Sequence, residues 1–120
     1  MLLRLALVVA GLSGLALAAS PAGHAHVANV ASTVPQGGVV FAVARGYAPP
    51  NEFCQVVSLW IDRVKVPPVS RRADDAGTWV LEFKATQTRG WHSLELRQAC
   101  ESGKDGTIRI SRAFTSFRVT

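Results

Sequence analysis

The sequence predicts an all-β sandwich of about seven short antiparallel strands, and three observations carry the prediction. Apolar and polar residues alternate in short runs, most cleanly at Trp79, Leu81 and Phe83 and at Leu94 and Leu96. A strand turns successive side chains to opposite faces, so each run reads as a half-buried strand. Clusters of Gly, Pro, Asn and Asp separate the runs at roughly ten-residue spacing. After the first 25 residues, no long stretch has helical periodicity.

Residues 1–25 read as a signal peptide and flexible lead, and residues 26–120 as one folded domain. Met1 to Ala18 carries a single charge, Arg4, followed by an apolar run from Leu5 to Leu17 interrupted only by Gly and Ser. A positive start, a short apolar core and small residues at the exit are the features of a secretory signal. The run is shorter than the about 20 apolar residues that a membrane span requires. No later run is long enough, so the mature chain is expected to have no span. Two exit points are available, Ala16-Leu17-Ala18 and Gly23-His24-Ala25. The second would leave His26 as the new amino terminus. The expected location is secreted or periplasmic.

Val27 to Thr33 reads as a first edge strand, and Pro35-Gln36-Gly37-Gly38 as the turn after it. Val39 to Arg45 is strongly β-prone, and Pro49-Pro50 ends it because prolines cannot join a central ladder. Gln55 to Val64 reads as one interior strand, with Val57, Leu59 and Ile61 on one parity and Val56 and Trp60 on the other. Val69 to Ala73 reads as a link to the Asp74-Asp75-Ala76-Gly77 turn. Two strands follow, Thr78 to Phe83 and Trp91 to Arg97, and then a polar turn, Glu101 to Gly106. The last run, Thr107 to Val119, has Ile108, Ile110 and Phe114 on even positions but Phe117 and Val119 on odd ones. The change of parity predicts a bulge near Thr115-Ser116.

The two cysteines test this layout. Cys54 opens the third strand and Cys100 closes the sixth. Antiparallel pairing places a start beside an end, so one disulfide is expected, as in other exported chains. It closes a loop of about 46 residues, worth about 4 kcal/mol by chain entropy. The cysteines form no C-x-x-C pair, which argues against a redox or zinc-knuckle role.

The pattern resembles the immunoglobulin-like domains of bacterial secreted and surface proteins. The residues carrying the likeness are Pro35-Gln36-Gly37-Gly38, Gly46-Tyr47-Ala48-Pro49, Asp62, Asp74-Asp75-Ala76-Gly77-Thr78-Trp79 and Gly90-Trp91-His92-Ser93-Leu94. The resemblance implies a fold and no catalytic residues. A narrower resemblance is to periplasmic copper-binding proteins of the copper-resistance type, which mature at an Ala-His junction. His24-Ala25-His26-Val27 matches that junction, and Asp105-Gly106 matches part of a later motif, with Thr107 where the family has a second His. That likeness implies copper held by His24 or the amino-terminal His26 with Asp105.

Function is narrowed more than named. The full chain carries a net charge of +5, and loss of residues 1–25 removes Arg4 and no acid. The basic residues are scattered, with only Arg71 and Arg72 adjacent, so nucleic-acid binding is not expected. Attraction to anionic cell-surface polymers is compatible with this charge. The sequence has no Gly-x-Ser-x-Gly elbow and no evident Ser–His–Asp set, so no enzymatic activity is expected. Trp60 and Trp91 each oppose the dominant apolar parity of their strands. They could face a second core layer, solvent or a partner, and as candidate contact residues they would meet a protein or a cell-surface polymer. His92 shares parity with Leu94 and Leu96 and reads as a partly buried, hydrogen-bonded residue. The expected role is a binding or structural module, with copper handling as the alternative.

Overall fold

Alternation of apolar residues builds two inner faces that close on each other. The structure, a computed structural model, describes residues 26–120. The expected signal peptide and lead, with His24, lie outside the described residues. The strands are β1 (Val27–Asn29), β2 (Thr33–Val34), β3 (Val39–Arg45), β4 (Ser58–Ile61), β5 (Val64–Val66), β6 (Ser70–Ala73), β7 (Trp79–Lys84), β8 (Gly90–Glu101) and β9 (Ile108–Val119). They form a four-stranded sheet, β1-β3-β7-β6, and a five-stranded sheet, β2-β9-β8-β4-β5. This is the strand order of an immunoglobulin-type sandwich.

The core lies between the sheets. Val40, Ala42, Trp79, Leu81 and Phe83 come from one side, and Leu59, Ile61, Leu94, Leu96 and Phe117 from the other, all buried. Each large apolar side chain so buried stabilises by about 1.5–3 kcal/mol. Phe83 meets Phe117 edge to face with ring centroids 5.8 Å apart, a contact between the two sheets.

Several elements differ from the sequence reading. Among the described residues there are nine strands where about seven were expected, and β2 runs parallel to β9 rather than antiparallel. The expected single strand from Gln55 to Val64 is a hairpin. Asp62 and Arg63 take positive φ, 50° and 67°, and reverse the chain between β4 and β5. Positive φ at both central residues matches the twist of a two-residue hairpin. The expected link at Val69 to Ala73 contains β6, held by main-chain pairing with β7. The predicted bulge near Thr115-Ser116 is absent. Pairing of β8 with β9 runs unbroken from Gly90↔Val119 to Glu101↔Ile108. Ala113, Phe117 and Val119 face inward along β9, and the even-numbered Ile108, Ile110 and Phe114 face out.

The connection from β3 to β4 crosses between the sheets and is pinned by polar groups. Buried Gln98 donates through Nε2 to Ala48 O at 2.9 Å and Gln55 O at 3.1 Å, and its Oε1 accepts from Ala48 N at 2.8 Å. Trp79 Nε1 donates to the same Ala48 carbonyl at 2.9 Å. The Tyr47 hydroxyl donates to Leu96 O at 2.8 Å, and burial, with the charge of Glu95 second, pushes its phenol up from the ordinary value. The predicted disulfide joins Cys54 to Cys100 with Cα atoms 4.0 Å apart. Gly77 meets this segment closely. At φ +84°, its carbonyl accepts from Tyr47 N, and a Cβ there would stand 1.9 Å from Tyr47 O.

Candidate functional site

The outer face of the five-stranded sheet gathers residues that packing alone would not expose. Odd positions of β8 and even positions of β9 point to this face. The register sets Trp91 beside Arg118, Glu95 beside Phe114, Arg97 beside Arg112 and Ala99 beside Ile110. Strand β4 adds Trp60 next to Glu95. Trp91 is 64% exposed and Phe114 65% exposed, and Ile108 and Ile110 are exposed with them.

At the centre of this face lies a carboxylate that is only 5% exposed, that of Glu95. Arg97 donates to it from Nε at 2.8 Å and from Nη2 at 3.1 Å. Arg112 donates from Nε at 2.6 Å. Burial pushes the Glu95 carboxyl up, but the hydrogen bonds and charges of Arg97 and Arg112 outweigh it and hold the group below the ordinary value. The two guanidiniums also rest on aromatic rings. Arg97 lies 3.7 Å from the Trp60 ring centroid and Arg112 5.8 Å from that of Phe114. Such stacking favours a flat guanidinium. Trp60 is thus half-buried beneath Arg97, while its Nε1 donates to Ser58 Oγ at 3.0 Å.

No protein-family model, curated protein or solved structure matches this chain.

Two shallow clefts flank the pair. One, of about 200 Å³, has Trp60, Lys65, Arg71 and Arg97 in its wall. The other, of about 470 Å³, has Arg63, Glu95, Arg97, Arg112 and Phe114. Arg97 is common to both. Arg71 reaches the first cleft from the opposite sheet, where its Nε donates to Val57 O at 2.9 Å.

The predicted contact residues therefore share one face, with Trp91 exposed at one end and Trp60 under a guanidinium near the middle. Of the expected copper ligands, His24 lies outside the described residues. His26 packs against Tyr47 with ring centroids 5.0 Å apart. Asp105 Oδ1 accepts from Thr107 N at 3.0 Å and Thr107 Oγ1 at 2.7 Å. Among the described residues, no group of three or more His, Cys, Asp or Glu is placed to hold a metal ion. Sequence reasoning missed Glu95, Arg97, Arg112 and Phe114. The available signal was the even-parity apolar series of β9, whose change of parity reads, in sequence alone, as a bulge near Thr115-Ser116 instead of as an exposed face.

Proposed function

We propose that this protein is an exported, non-enzymatic immunoglobulin-like binding module of a bacterial periplasm or cell surface, and that it meets its partner through the outer face of the five-stranded sheet. One observation carries the reading. Apolar side chains stand exposed along that face from Trp91 to Ile108, beside two guanidiniums already fixed in place. Large exposed apolar side chains interleaved with arginines on one face are the composition of an interaction site.

Export is supported by the disulfide, which persists in oxidising compartments, and by the charge and apolar pattern of Met1 to Ala18. A non-enzymatic role is supported by the engagement of titratable groups in structural pairs. His92 is bonded to Asp62 and Thr88, and Glu95 to Arg97 and Arg112.

The test is binding of the labelled, purified protein to cell envelopes of the organism that encodes it. Paired serine substitutions at Phe114 and Ile110 are expected to abolish binding. The matched pair at Val39 and Phe41, exposed on the opposite sheet, is expected to leave it intact. Equal binding by both variants would refute the proposed face. Fractionation of those cells, if it found the protein in the cytoplasm, would refute the exported state.

A further inference from the structure

We infer that the two clefts on this face form one groove for a linear acidic polysaccharide, whose carboxylate or sulfate groups are received in series by Lys65, Arg71, Arg97 and Arg112. The inference rests on the binding role proposed above and names the chemistry of its ligand.

Charge is the first argument. Arg63, Lys65, Arg71, Arg97 and Arg112 line the clefts, and Glu95 is the one carboxylate among their lining residues. That carboxylate lies beneath the guanidiniums it binds, so one negative charge sits under two positive ones and the surface above stays cationic. Clefts lined by one sign of charge concentrate counter-charged ligands.

Preorganisation is the second. Arg97 is held by Glu95 and Trp60, and Arg71 by the Val57 carbonyl. Among the described residues, Arg112 donates to protein through Nε. A guanidinium fixed through Nε keeps further N–H donors for an oxyanion, and it loses little side-chain entropy when one binds. Stacked guanidinium is also weakly hydrated, so exchanging water for a carboxylate or sulfate costs little.

Layout selects the polymer. A lone oxyanion would engage one cleft and leave the other cations unserved, whereas a chain of regularly spaced charges reaches both through Arg97. The exposed rings and aliphatic chains of Phe114 and Ile110 beside the cations suit the apolar faces of sugar rings. A sheet face presents side chains, because the main-chain groups of its strands point along the plane of the sheet. A peptide would forgo the main-chain bonds by which extended peptides are usually gripped.

The experiment measures affinity of the purified protein for polygalacturonate, dextran sulfate, neutral dextran and poly-L-glutamate at low and high salt. Binding to polygalacturonate, to dextran sulfate or to both is expected, weakening as salt screens the charges. Preference between the two identifies carboxylate or sulfate as the natural group. Lys65→Glu is expected to weaken binding about tenfold or more, whereas Lys84→Glu, the same charge change on the opposite sheet, is expected to alter it less than about twofold. Equal effects of the two reversals would overturn the groove, because net charge alone would then explain binding. Equal or tighter binding of poly-L-glutamate would overturn it in favour of an acidic protein, and binding of neutral dextran would remove the electrostatic basis. If none of the polymers binds while the Phe114 and Ile110 variant still loses cell envelopes, this inference falls and the proposed face stands.

Discussion

Asp62 and His92 join the β4–β5 turn to the start of β8. Nδ1 of His92 lies 2.5 Å from Asp62 Oδ2, and Nε2 lies 2.6 Å from the Thr88 carbonyl oxygen. A carbonyl and a carboxylate only accept, so both ring nitrogens carry protons and the imidazole is a cation in this arrangement. The hydrogen bond to Asp62, then that to Thr88, raises the His92 value above its ordinary 6.5. Burial pushes Asp62 up, but hydrogen bonds from His92 and Ser93 outweigh it and hold the carboxyl below its ordinary 3.8.

Stability therefore depends on pH in a defined direction. The His92 contribution is fully present below 6.5 and is lost as pH rises through the raised folded value. The Asp62 contribution is present above 3.8 and is lost as pH falls through the lowered folded value. Thermal unfolding from about pH 5 to about pH 9 is expected to show a decline on the alkaline side, flattened in Asp62→Asn. A variant profile parallel to that of the parent would disprove the coupling.

Gly77→Ala is expected to be the more damaging of two glycine substitutions. At Gly37, φ is +80° and a Cβ meets nothing within 4 Å, so alanine pays only left-handed backbone strain, about 1–2 kcal/mol. At Gly77 the same strain is joined by a Cβ 1.9 Å from Tyr47 O. The pair of turns must move apart, at a total of about 3 kcal/mol or more. Urea midpoints of the two variants measure the difference, and equal losses would show that the contact with Tyr47 relaxes freely.

Glu95→Ala removes the carboxylate between two guanidiniums and leaves like charges facing each other. The arginines are partly solvated, with side chains 23% and 49% exposed, so a loss of about 2 kcal/mol is expected rather than the full penalty of a buried pair. Arg112→Ala removes the more exposed partner and is expected to cost about 1 kcal/mol or less. The reverse ranking in chemical denaturation would mean that Glu95 is not the anchor of the cluster.

Gln98→Leu keeps an inward side chain of similar size but deprives Ala48 N and Gln55 O of their Gln98 partners. Both bonds are part-buried, so each lost partner is expected to cost about 1 kcal/mol. The loss is expected to concentrate in faster amide exchange across residues 47–57, with β7 protected as before. Uniform loss of protection would indicate that the crossing segment and the sheets unfold as one unit.

Much of the fold was legible where one strand's pattern settled its own face. Trp79, Leu81 and Phe83 share one parity and are buried, with Val80 and Glu82 on the other. The Asp74 turn was legible because a short acceptor followed by Gly closes on itself, and Asp74 Oδ1 accepts from Ala76 N and Thr78 N. The cysteine pairing followed from two cysteines in a chain read as exported and from the direction of the strands that carry them. The hairpin at Asp62-Arg63 was not legible, since neither residue is the glycine that positive φ favours. Strand β6 was missed because Ser70-Arg71-Arg72-Ala73 buries little and is held by main-chain pairing. The candidate site stayed hidden for a related reason. Glu95 is buried by Arg97 and Arg112, and Arg112 comes within reach only through the β8–β9 register. Nothing within the β8 segment reveals that register, and the apolar even positions of β9 resemble a core until their partners are known.

The outermost strands are stubs: β1 has 3 residues, β2 has 2, β5 has 3 and β6 has 4. Three borders thus present only a few main-chain groups, but β2 pairs with β9 at Arg118 and Val119 alone and leaves the β9 edge from Ile108 to Phe117 open. Crowded with copies of itself, this protein would take on a neighbour along β9 before any other border.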